Sequence, residues 1–269
     1  MCFFVEKAVR LSLLILLLGV LIPAMACGGS GSAAPQGGSL SGNWQITLNG
    51  QAPPAVALTG FLIQSGGSVT GNLLQGLISN CSGVGSVTGT VNGQNVSLNI
   101  NQSGATIGLT GSASAASMSG EFTSQPGTCS FIPNSGTWSA VQVVPISGSF
   151  HGAFTSREGN GTVAVTGTLN QGPNTGSSTA TLSGTLTTTS ATTFCSYVLP
   201  GTITGLISGT QVQMSLYGEN GLEYAQLGNV GGESTTVTPD GTSLSGGYAF
   251  AGISAACPSD QGTFELSFP

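Results

Sequence analysis

Val87-Thr88-Gly89-Thr90-Val91 is followed at once by Asn92-Gly93 and then by Val96, Leu98 and Ile100 at alternate positions. Residues two apart share a face of a strand, and Asn-Gly suits a type I′ turn, so the stretch reads as a β-hairpin. Its pentad, apolar-[Ser/Thr]-Gly-any-apolar, starts again at Leu40, Leu58, Val69, Leu109 and Met118, and then at Ile146, Val165, Leu182, Ile203 and Leu244, with Ala113 as its weakest end. The first, third and fifth residues of a strand face one way, so each pentad sets a glycine between two apolar residues on the buried face. Glycine forms strands poorly, and its repetition there needs a physical reason. The reason is curvature: a missing side chain lets a strand coil sharply, as closing a small barrel demands.

Working outward, the pattern runs twice. Leu40-Ser-Gly-Asn-Trp44 matches Ile146-Ser-Gly-Ser-Phe150 at an offset of 106, and Val87, Val91, Gly93, Val96 and Leu98 match Ile203, Ile207, Gly209, Val212 and Met214 at 116. Met118 and Phe122 match Leu244 and Tyr248 at 126, as Trp138 matches Phe264. Offsets that grow by steps place insertions in loops of the second copy. We read an internal duplication with domains over 39–144 and 145–269. Each copy holds seven or eight short strands joined by turns such as Ser65-Gly66-Gly67 and Pro239-Asp240-Gly241, and no stretch after residue 27 combines helical periodicity with helix-forming composition. The expected fold is all-β: two tandem antiparallel meanders, each a small barrel or a sandwich. Only Pro145 separates the copies, so the domains are expected to pack together.

The N-terminus carries Lys7 and Arg10, an apolar run from Leu11 to Ala26, then Cys27 and Gly28-Gly29-Ser30-Gly31-Ser32. This is the layout of a signal peptide over 1–26 and a flexible tether over 27–38. Ala24-Met25-Ala26-Cys27 resembles the lipobox of bacterial lipoproteins, although the family prefers leucine where Ala24 stands. The resemblance implies that Cys27 becomes the lipidated first residue of the mature chain and anchors it to the cell envelope, in the outer or the plasma membrane. Ordinary signal peptidase cutting at the same bond would instead leave a secreted protein. Once Cys2 leaves with the signal and Cys27 carries lipid, Cys81, Cys129, Cys195 and Cys257 remain, an even number in an oxidising compartment. Cys81 aligns with Cys195 and Cys129 with Cys257, so the expected bridges are Cys81–Cys129 and Cys195–Cys257, one per copy.

Only 4% of the residues are charged. Past residue 26 the single cation is Arg157, set against eight carboxylates. Binding to nucleic acid and electrostatic docking on anionic lipid both need clustered Lys or Arg and are excluded. Gly42-Asn43-Trp44 at the head of the first strand resembles the Gly-x-Trp start of calycins, the lipocalin and avidin superfamily of ligand-binding barrels. The second copy has Gly148-Ser149-Phe150 there, and the first has no Lys or Arg to pack over the tryptophan. The resemblance is architectural and implies a closed barrel. Trp44 and Trp138, and Phe150 and Phe264, lie at the first and last strands of their copies and form either the floor of a ligand cavity or a plug that seals the barrel end; a binding module of this kind would take a small apolar or carbohydrate ligand.

Chemistry is sparse. His151, the only histidine, has Glu158 nearby in sequence as a potential orienting carboxylate, but reads better as a strand-end histidine. Glu219 and Glu223 flank the tip Asn220-Gly221 and read as a solvated turn rather than a carboxylate pair. No catalytic residue, metal ligand or cofactor is assigned. The sequence points to a non-enzymatic binding or structural module of the envelope, or else to an adhesin-like or passive surface protein; a hydrolase ranks below both.

Overall fold

The computed structural model describes residues 38–50, 55–75, 83–102, 104–125, 134–188, 200–228, 230, 233–252 and 259–269. They form two closed antiparallel barrels of eight strands in tandem. In the first, β1 (Gly42–Gly50), β2 (Val56–Ser65), β3 (Ser68–Leu74), β4 (Val84–Asn92), β5 (Asn95–Gln102), β6 (Ala105–Ala113), β7 (Ser117–Gln125) and β8 (Ser135–Val143) pair in chain order, and β8 returns to β1. The second runs through β9 (Ser147–Ser156), β10 (Thr162–Gln171), β11 (Ala180–Thr188), β12 (Gly201–Ser208), β13 (Gln211–Gly218) and β14 (Glu223–Gly228). The two-residue β15 (Thr236–Val237) lies between β13 and β16 (Ser243–Phe250) beyond the end of β14, and β17 (Asp260–Ser267) closes onto β9. The residues matched by the offsets stand on corresponding strands: Trp44 and Phe150 on the first of each barrel, Val96 and Val212 on the fifth, Trp138 and Phe264 on the last.

Alternation sets the inside. β5 alternates exposed and buried without a break, sending Val96, Leu98 and Ile100 inward and Ser97, Asn99 and Asn101 outward. The pentad glycines take inward positions, and the reason is steric as well as conformational. A Cβ on Gly120 would lie 1.9 Å from the Thr110 carbonyl oxygen, and one on Gly184 would lie 1.9 Å from that of Thr168. At these positions the neighbouring strand occupies the place of the missing side chain, which lets short strands coil tightly enough to close.

Aromatic rings cover the gaps. Trp44 stands opposite Gly60, Phe122 opposite Gly136 and Trp138 opposite Gly120 in the first barrel. At the equivalent places in the second, Phe150 faces Gly167, Tyr248 faces Gly262 and Phe264 faces Gly246. A cross-strand glycine leaves its backbone open, and a ring lying over it restores the lost contact. Burying each ring contributes roughly 1.5–3 kcal/mol.

The barrels pack together, as expected from the short connection. Phe61 points out of β2 and joins the core of the second barrel. Around it the contact is polar: Asn43 on β1 bonds both the N–H and the C=O of Gly209 in the β12–β13 turn, and Thr59 bonds Ser208 at 2.7 Å. Asn72 donates to the Gly176 carbonyl, and Asn174 to that of Leu62. The β12–β13 turn and the β10–β11 connection of the second barrel thus clasp the outer face of β1, β2 and β3. The expected signal peptide over 1–26, Cys27 and the expected bridge cysteines Cys81, Cys129, Cys195 and Cys257 lie outside the described residues.

Candidate functional site

Trp44, Trp138, Phe150 and Phe264 are all at most 3% exposed. They sit on adjacent first and last strands but at different levels: Trp44 pairs with Gln142, whereas Trp138 pairs with Leu48, four residues further along β1. The Trp44 Nε1–H donates to the Leu40 carbonyl at 2.8 Å. Trp138 reaches across β7 at Gly120 to donate to the Thr110 carbonyl on β6 at 3.1 Å. Phe264 stacks on Phe154, and Phe150 meets the edge of Phe268. Each ring is committed to a glycine, a carbonyl or another ring, and a residual apolar void in the second barrel amounts to about 10 Å³. That is about the volume of one water probe, far below a ligand site.

His151 is exposed on the outer face of β9, and Glu158 accepts from Gln261 instead. Glu223 accepts from Ser215. A more enclosed group is Asp260, buried at the end of β17, whose carboxylate takes the Tyr248 hydroxyl at 2.7 Å and the Ser156 hydroxyl at 2.6 Å. Ser156 in turn accepts the N–H groups of Glu158 and Asn160. Burial first, then the bond to Asp260 and its charge, raise the Tyr248 phenol well above the usual tyrosine range. Tyr248 on β16 and Ser156 on β9 both donate to this carboxylate on β17, so the cluster ties the three strands together.

The outer surface carries a better candidate. A groove of about 250 Å³ runs over β12, β13 and β14, lined by Thr204, Leu206, Gln213, Ser215, Gln226 and Val230 among others. Register explains the grouping, since Leu206 pairs with Gln213, Thr204 with Ser215, and Ser215 with Gln226. Leu206 is 39% exposed, and the Gln213 and Gln226 amides bond no described residue. Among the described residues that line the groove, none is titratable.

One wall is peculiar to the second barrel. Where β6 runs unbroken, the equivalent strand is split into β14 and β15, and Val230 and Glu233 bridge each other between them. Thr235 lies against Gly246 and Val230 against Gly247, where an added Cβ would meet Thr235 Oγ1 at 1.9 Å and the Val230 carbonyl at 2.5 Å respectively. Arg157, the last cation of the chain, pins this segment through Glu233 at 2.7 Å. A depression of about 430 Å³ on the first barrel lies around Thr110, Glu121 and Thr137, and the described residues that line it all belong to strands.

No protein-family model, no curated protein and no solved structure matches this chain. The groove residues escaped the sequence reading because Gln, Thr and Ser are the ordinary outward residues of these strands. The available signal was the offset, which rises from 116 to 126 between Met214 and Leu244 and marks the insertion that builds the wall.

Proposed function

We propose that this chain is a lipid-anchored cell-envelope protein, tethered through Cys27 and stapled by Cys81–Cys129 and Cys195–Cys257, that acts from the outside of its barrels as a non-enzymatic binding module. One observation carries the reading: the interior aromatics are spent on covering glycines and bonding carbonyls, while the outward faces present uncharged hydroxyls and amides. A filled core makes the barrels rigid supports, and function then belongs to the surface they hold out. A passive or adhesin-like surface protein is the second reading, favoured by outward rows such as Thr168, Thr185 and Thr202, which pair across three strands.

Fractionation of cells expressing the wild type and Cys27→Ser tests the anchor. The wild type is expected in the membrane fraction and the variant in the soluble fraction. A variant found wholly with the membrane refutes lipidation at Cys27.

A further inference from the structure

We propose that the groove over β12, β13 and β14 binds a neutral carbohydrate chain. The inference rests on the reading of this protein as a surface binding module and names the ligand class.

The lining decides the class. Gln213 and Gln226 each offer a carbonyl acceptor and two N–H donors with no described partner, matching hydroxyls that both donate and accept. Leu206 and Val230 supply apolar contact for the C–H face of a sugar ring. None of the described lining residues is charged, Glu223 beside the groove accepts from Ser215, and the one cation at its wall, Arg157, is paired with Glu233, so no free cation is offered to a phosphate or a carboxylate. An extended peptide docks by adding a strand to a free sheet edge, and a closed barrel has no edge to offer.

The groove is also a departure from the duplicated plan. Twenty residues separate Leu98 from Met118, and thirty separate the equivalent Met214 and Leu244. Part of the extra chain raises the wall at Val230. Gly247 stands where the first copy has Glu121, and a Cβ there would collide with the Val230 carbonyl oxygen. The insertion, the glycine that admits it and the Arg157–Glu233 pair that pins it together convert a plain outer face into a walled one. Without an aromatic ring in the groove, a Kd of about 1 mM is expected for a short chain.

The test uses the full-length protein in detergent, titrated with malto-, cello-, laminari- and mannohexaose by saturation-transfer NMR. Transfer to at least one hexasaccharide is expected, with affinity at least about tenfold weaker in the Gln213→Ala/Gln226→Ala double variant. Hydroxyl-radical footprinting of the wild type reads the site independently of any variant, and protection is expected at Leu206 and Val230. The inference is overturned by no transfer from any of the four at about 10 mM, or by footprint protection elsewhere. Membrane release of Cys27→Ser judges the anchor separately, so either idea can fail while the other stands.

Discussion

Asn43 and Gly209 exchange two hydrogen bonds between the barrels, the side-chain amide donating to the Gly209 carbonyl at 2.8 Å and accepting its N–H at 2.7 Å. Asn43 is 1% exposed, so both backbone groups of Gly209 depend on one side chain for their partners. Asn43→Ala leaves a buried donor and a buried acceptor unpaired, a loss of about 2–4 kcal/mol. Urea unfolding of the full chain measures it, and a loss below about 0.5 kcal/mol would remove this pair from the interface.

Two glycines of the first barrel separate steric need from habit. Gly120→Ala drives a Cβ to within 1.9 Å of the Thr110 oxygen, whereas Gly108→Ala meets nothing closer than 3.6 Å. The first substitution is expected to cost about 3 kcal/mol, and the second to stay within about 0.5 kcal/mol of the wild type. Equal melting temperatures for the two variants would contradict the closure argument.

Tyr248 gives the second barrel an alkaline limit. Its phenol is raised by burial and by donating to Asp260, so its contribution is complete below the unfolded tyrosine pKa of about 10 and declines as pH rises beyond it. Between there and the elevated folded value, stability should fall by about 1.4 kcal/mol per pH unit from this group. Unfolding free energies of the wild type and Tyr248→Phe at several pH values check this, and parallel slopes above pH about 10 would sink it.

Peptide mapping of oxidised protein is expected to join Cys81 to Cys129 and Cys195 to Cys257. Each bridge should stabilise by roughly 3–4 kcal/mol on the chain-entropy model. A Cys81–Cys195 link would instead tie the copies to each other and contradict one staple per barrel.

The barrels were legible because period-two alternation and the pentad glycine are local signals, repeated often enough to outweigh glycine's poor strand propensity. What the pentad hid was its partner: that Trp138 covers Gly120, or Phe150 covers Gly167, depends on the register between neighbouring strands. The contact between barrels was expected from Pro145, but the clasp of Asn43 on Gly209 joins residues 166 positions apart, which no local pattern encodes. The groove stayed hidden because Gln213 and Gln226 differ from other outward residues only in the wall beside them.

The claim that function lies outside filled barrels is tested most directly by acrylamide quenching of tryptophan fluorescence in the folded full-length protein. The chain has two tryptophans, Trp44 and Trp138, and both stand inside the first barrel. The account predicts blue-shifted emission that acrylamide scarcely quenches. Quenching close to that of free tryptophan would mean an interior open to small polar molecules and would return the ligand site to the inside of that barrel.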